Sequence, residues 1–358
     1  MQELPLRPFH ELNSALFRAE GGWHVPAGYG PVDVEVSAVR GGAAMIDLGD
    51  RVKVAVRGSD RTSFLDGLVT ADLKVLDPGS LAYGLVLTDK SRVVGDLMIY
   101  ALEDAFILDV EGSQAGPLLA YIQKFLVSDD VVLEDMTPAA HLEVHGPDAP
   151  AVLTQALGQD VRSMPEGRFI RFVTGKRAQG IISRISGFGV PGFAVWATAS
   201  SLDAQWSALA RRGTTPFGRD AYNVLRIEAG RPRVGADMSE DTLALEVAPA
   251  GAISFTKGCY VGQEIVARGT YRGHMNRKLL GLQVDGDLPP ERGDRVRTVA
   301  GDVGAVTSGA WSPTLRRFVA LALLRVDSVT PTTGLFVDRG GWDLRATLRP
   351  LPFVRPST

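Results

Sequence analysis

The sequence is poorest in cysteine. Cys259 is the one thiol in 358 residues. That excludes an intrachain disulfide. It also excludes a permanent iron–sulfur cluster held by this chain's cysteines alone, which takes about four thiolates. Neither sign of charge is in excess: 38 Lys and Arg face 41 Asp and Glu, a formal net charge of -3. There is thus no bulk electrostatic case for nucleic acid. No apolar run is long enough to span a bilayer. The start, Met1-Gln2-Glu3-Leu4-Pro5, lacks a basic stretch followed by an apolar core, so no secretory signal is expected. His10, His24, His141, His145 and His274 show no metal-ligand spacing, and no zinc-type site is expected. Together these absences fit a reducing cytoplasm and a monomer that meets neither membrane nor nucleic acid directly.

What remains is a globular composition, 45% apolar and 22% charged. The 40 glycines point to many turns and much β-structure. The length suggests two or three domains. An internal repeat is the strongest architectural signal. Val54-Ala55-Val56-Arg57-Gly58-Ser59-Asp60 echoes Leu142-Glu143-Val144-His145-Gly146-Pro147-Asp148. Each copy predicts a strand, a glycine, an Asp in the first helical turn and then a helix. Further strands follow at 81–87, 93–101 and 105–110, and again at 169–173, 180–185 and 193–197. Ser113 and Ser201 are candidate caps for a closing helix in each copy. This pattern predicts an α+β fold of two ferredoxin-like units, about 50–135 and 140–213. Ligands often occupy the crevice between such halves. Pro31 suits a first helical position, with a helix over 32–40 ended by Gly41-Gly42. Another helix is predicted over 217–230. From Arg277 six short strands predict a small antiparallel barrel over 276–358. The boundaries expected are thus 1–275, with 214–275 carrying the cysteine, and 276–358.

The segment Lys257-Gly258-Cys259-Tyr260-Val261-Gly262-Gln263-Glu264 concentrates candidate chemistry. If a helix opens at Gln263, its N-terminal partial charge and the ammonium of Lys257 both favour a thiolate at Cys259. The alternative is that Cys259 is a small buried hydrophobe. A second candidate is Asp96, set in the apolar run Val93–Tyr100. A carboxylate there is either desolvated and poised for proton transfer or turned to water at a strand edge. Arg226 and Glu228 lie two apart, so on a helix they do not face each other and serve different partners, or else are solvated.

Ser254 to Glu264, with Ala267-Arg268, resembles the signature of the YgfZ-type folate-binding proteins, relatives of the glycine cleavage T-protein (aminomethyltransferase). Trp23-x-x-Pro26-x-x-Tyr29, Ala38-Val39-Arg40, Arg226–Gly230, Gly235–Met238, and Thr307-Ser308-Gly309 with Ser312-Pro313-Thr314-Leu315 resemble T-protein runs. The resemblance covers nearly the whole chain and implies tetrahydrofolate, or a derivative, as cofactor. It implies Cys259 and Asp96 as catalytic residues. Tyr83, Asp96, Arg226, Glu228, Lys257 and Gln263 become cofactor-binding candidates. The sulfur is expected to face the folate crevice. Four places depart from the T-protein pattern: Gly95 replaces the first Asp of an Asp-Asp pair, Asp47 is followed by Leu48-Gly49-Asp50-Arg51, a Leu-Thr-Asn-Asp run appears as Val69-Thr70-Ala71-Asp72, and Ala194 stands where a pterin-binding glutamate is found. These departures favour an accessory factor in iron–sulfur cluster assembly or repair, with client proteins or assembly factors as partners. The alternative is a tetrahydrofolate-dependent aminomethyltransferase. A folate domain serving a partner dehydrogenase is a third reading, and no flavin-binding glycine fingerprint supports a fused version.

Overall fold

The structure, a computed structural model, describes residues 1–136, 139–174, 178–272 and 275–355; His274 lies outside them. The repeat is built around its shared glycine. Strands Val52–Arg57 and Ala139–His145 end on Gly58 and Gly146, whose φ values are +106° and +124°. A Cβ on Gly58 would stand 1.9 Å from the Asp130 carbonyl oxygen, and one on Gly146 2.1 Å from that of Gly42. Only glycine fits either place. Asp60 and Asp148 then sit at the N-caps of helices Arg61–Asp66 and Ala149–Leu157.

The strand order repeats too. One sheet runs Leu81–Leu87, Val93–Ala101, Phe106–Val110, Val52–Arg57, Val132–Asp135. The other runs Phe169–Thr174, Ala178–Ile185, Gly192–Thr198, Ala139–His145, Ala44–Asp47, and Thr215–Pro216 extends its edge. Each α+β unit carries one strand more than a four-stranded ferredoxin-like sheet, because three consecutive strands form a meander. The fifth strand of the second sheet, Ala44–Asp47, precedes the first unit in the chain. Its pattern hides it: all four residues are buried, so there is no alternation to read. The closing helices cap differently from expectation. Glu111 and Thr198 hold the N-cap positions. Ser113 and Ser201 lie inside the first turn, where their hydroxyls donate to Glu111 and to the Thr198 carbonyl.

Helices cover the outer face of each sheet. Val56, Leu65, Leu97, Leu108 and Leu118 share one core, and Leu142, Leu153, Phe193 and Trp206 another. The inner faces meet around Tyr100, whose ring lies 5.5 Å from that of Phe169 and 5.6 Å from that of Trp196. Its hydroxyl is 3.2 Å from Ser183 Oγ.

Six antiparallel strands, from Arg277–Val284 to Trp342–Arg349, close the C-terminal barrel. Helix Arg219–Glu228 fastens it to the rest. Arg226 donates to Ser308 Oγ at 2.7 Å and Asp237 at 2.6 Å. Glu228 accepts from Ser312 at 2.6 Å, Arg40 at 2.5 Å and Thr314 at 3.1 Å. The two side chains serve different partners, one of the two outcomes their spacing allowed. Removing a partner from a buried ion pair strands the other charge. Glu228→Ala is therefore expected to cost about 3 kcal/mol, read as a lowered urea midpoint with early release of the barrel.

Candidate functional site

Between the inner sheet faces lies a cleft of about 420 Å³, a size suited to one drug-sized ligand. Helix Arg219–Glu228 and the loop Arg231–Arg233 contribute to its wall. Its lining mixes apolar surface from Leu81, Met98 and Phe188 with charged side chains.

The floor is a buried ionic network joining the two units. The Asp109 carboxylate is 2.8 Å from Arg51 Nε and 2.9 Å from Lys53 Nζ. His141 Nδ1 lies 3.6 Å from Asp109 and its Nε2 3.6 Å from Glu143 Oε1. Glu143 Oε2 is 2.9 Å from His145 Nε2. Burial by itself raises the Asp109 pKa, but Arg51, Lys53 and His141 outweigh it and hold the carboxyl well below the ordinary range. Burial pushes Lys53 and His141 down. Each His141 ring nitrogen faces a carboxylate, Nδ1 toward Asp109 and Nε2 toward Glu143.

Asp96 projects from strand Val93–Ala101 into the same cleft. Tyr83 Oη donates to its Oδ2 at 2.8 Å. Burial raises the Asp96 pKa above its ordinary 3.8, and the nearby Glu111 adds to the rise. The Tyr83 and Gln114 hydrogen bonds oppose it. The result is a carboxyl group able to hold a proton closer to neutrality than a solvated Asp.

The cysteine loop lies elsewhere. Helix Gln263–Arg272 does open where the sequence predicts, and Cys259 is exposed just ahead of it. Cys259 is not among the cleft-lining residues. Its sulfur therefore does not face the crevice, contrary to expectation. The Lys257 ammonium turns inward, away from the task assigned to it. It meets the carbonyl oxygens of Asp66, Val69 and Ala71 at 2.7, 2.9 and 2.7 Å and Asp66 Oδ1 at 3.0 Å. The three carbonyls take its three hydrogens, with the Asp66 carboxylate alongside, and pin the loop onto the turn after helix Arg61–Asp66. Gln263 Nε2 donates to the Gly258 carbonyl and closes the loop on itself.

Of the residues singled out from sequence, Tyr83, Asp96 and Arg226 line the cleft, whereas Cys259, Lys257, Gln263 and Glu228 do not. Sequence reasoning set Lys53 among scattered basic residues expected mostly on the surface, considered His141 only as a metal ligand, and gave Arg51, Asp109 and Glu143 no site role; Lys53 is in fact fully buried. A signal existed: Lys53 and Asp109, like Asp96, are charges set in apolar strands. Among the described residues no group of three or more His, Cys, Asp or Glu is arranged to hold a metal ion. Among the described residues no helix is long and apolar enough to cross a membrane.

Residues 6–257 match the family described as the GCVT N-terminal domain, and residues 277–355 the glycine cleavage T-protein C-terminal barrel domain. The chain belongs to the glycine cleavage T-protein family. It is 30% identical over 358 residues to the aminomethyltransferase of Rubrobacter xylanophilus, covering 99% of this chain and 95% of the relative. It is 30% identical over 342 residues to that of Geobacillus kaustophilus, covering 94% and 93%. The crystal structure of the glycine cleavage system aminomethyltransferase T from Bartonella henselae superposes with a TM-score of 0.89 at 25% identity, over 99% of this chain and 98% of that one. The T-protein fold with its closed six-stranded barrel is thus shared throughout. Aminomethyltransferases of the T-protein family bind tetrahydrofolate.

Two measurements probe this arrangement. Lys257→Met takes the buried cation from Asp66, leaving it Lys74 at 3.5 Å and the Leu73 N–H, and strands three backbone carbonyls. A loss of about 3 kcal/mol is therefore expected, with hydrogen exchange accelerated first in the Cys259 loop. Asp96 behaves with the opposite sign. Its pKa is raised on folding, so its contribution to stability is fullest below the unfolded value and is lost as pH rises through the folded one. Asp96→Asn is therefore expected to melt higher than the parent at pH 8, with the gap closing toward pH 4. A gap independent of pH would contradict this.

Proposed function

We propose that the chain is a tetrahydrofolate-dependent one-carbon transferase of the aminomethyltransferase type, working in the cleft between its two α+β units. The observation that carries this reading is Asp96: a carboxyl group in the cleft wall, held by Tyr83, with its pKa raised by burial. The donor set fits a folate. The cleft offers apolar walls for a flat ring and charged groups for its polar edge. When bound, tetrahydrofolate supplies the nitrogens that accept the one-carbon unit. Asp96 manages the proton at Oδ1 or Oδ2, and Tyr83 holds one of those oxygens in place. Arg226, already committed to Asp237 and Ser308, aligns the cleft edge through the barrel. In this reading residues 1–275 form the catalytic region and 276–358 the barrel that braces it, in a cytoplasmic monomer.

The exposed thiol favours a second reading. Cys259 stands on a loop pinned from beneath by Lys257. Such a thiol can form a mixed disulfide with a client or ligate a cluster transiently. That suits a YgfZ-type accessory factor for iron–sulfur client proteins. The two readings separate cleanly. Under the transferase reading, purified protein forms 5,10-methylenetetrahydrofolate from an aminomethyl donor. Asp96→Asn lowers kcat by about 10²-fold or more, and Cys259→Ala leaves it unchanged. Under the accessory reading turnover is undetectable, and Cys259→Ala fails to restore cluster-dependent enzymes in cells lacking a YgfZ-type protein.

A further inference from the structure

Ala194 sits where the resemblance leads one to expect a pterin-binding carboxylate, and alanine accepts no hydrogen bond. Its neighbours are informative. In the antiparallel ladder Ala194 pairs directly with Glu143. Directly opposed residues share a sheet face, with Cβ atoms about 5 Å apart. Glu143 is 7% exposed and lines the cleft. One of its oxygens is 2.9 Å from His145 Nε2, while the other stands 3.6 Å from His141 Nε2, beyond hydrogen-bond length. His141 lines the cleft at 1% exposure, and neither ring nitrogen has a hydrogen-bond partner among the described residues. A buried polar group left unpaired is costly, so an imidazole with two such atoms beside a cavity points to a polar ligand edge. Burial raises the Glu143 pKa, but the facing His141 and His145 hold it well below the ordinary range, so the group is ionised at neutral pH.

We propose that Glu143 is the carboxylate that accepts the amide and amino edge of the folate ring, displaced one strand from position 194, with His141 as the adjoining hydrogen-bonding group. This rests on the folate reading of the cleft. A carboxylate on the paired strand reaches the same layer of the cleft from one strand further along the floor. The two planar N–H donors of a pterin edge match its two oxygens. Glu143 then does two jobs: Oε2, 2.9 Å from His145 Nε2, keeps a second lone pair for one pterin N–H, and Oε1 takes the other.

Calorimetric titration of the full chain with tetrahydrofolate, kept anaerobic, tests the inference, with p-aminobenzoylglutamate as a probe that lacks the pterin. Glu143→Gln is expected to weaken tetrahydrofolate binding about 10- to 100-fold, leave the tail probe unchanged, and regain affinity when Ala194→Glu is added. Equal tetrahydrofolate affinity in Glu143→Gln and parent overturns the proposal, as does an equal loss for both probes. Should Glu143→Gln not fold, Glu143→Asp keeps the charge and shortens the arm, and the same comparison applies. Failure of the parent itself to bind tetrahydrofolate overturns the folate reading of the cleft instead, a result separate from any difference between variants.

Discussion

Asp109 is the point on which the two units turn. Its carboxylate is buried between the two sheets, and a buried carboxylate is tolerable only if paired. Arg51 and Lys53 come from the first unit, and His141 approaches from the second. The network continues through Glu143 to His145. Such a network stabilises little relative to well-packed hydrocarbon, but it penalises any other register. Its effect here is geometric: it fixes how the inner faces meet, and so fixes the shape of the cleft above it.

The rest of the cleft is held by elements outside its ionic floor. Ala44–Asp47 precedes the first unit in sequence yet joins the second sheet by pairing with Ala139–His145, so that sheet incorporates a strand laid down before the first unit. Helix Arg219–Glu228 contributes Arg226 to the cleft edge and drives Glu228 into the barrel. A movement of the barrel is therefore felt at the cleft wall through this helix. Lys257 plays a similar structural part for the thiol loop. Its ammonium is consumed by backbone carbonyls, which makes the loop firm and leaves Cys259 on the surface. Firm support of an exposed thiol and a separate polar cleft are two features of one chain, and they need not belong to one activity.

Much of the architecture was legible before any coordinates. The repeat showed because Gly58 and Gly146 each occupy a conformation and a contact that only glycine allows. The six barrel strands showed because half-buried strands alternate between polar and apolar residues. Asp96 showed because a charge in an apolar strand must be explained. What stayed hidden had no local pattern. Ala44–Asp47 is buried on both faces and does not alternate. Lys257 reads equally well as a neighbour of the thiol or as a buried staple, since direction of a side chain is not written in spacing. The partnership of Glu143 with Ala194 depends on register between strands fifty residues apart.

The sequence by itself determined the elements, their duplication, the family to which they belong and the charges that had to be reckoned with, because backbone conformation and hydrophobic period are local properties. Only the tertiary structure decided which of those charges face one another. It placed Asp96 and Tyr83 in the cleft and Cys259 outside it, and it set Glu143 beside the position where a carboxylate is missing. Pairing between distant strands is a global property, settled by packing and desolvation of the whole chain rather than by any stretch of it.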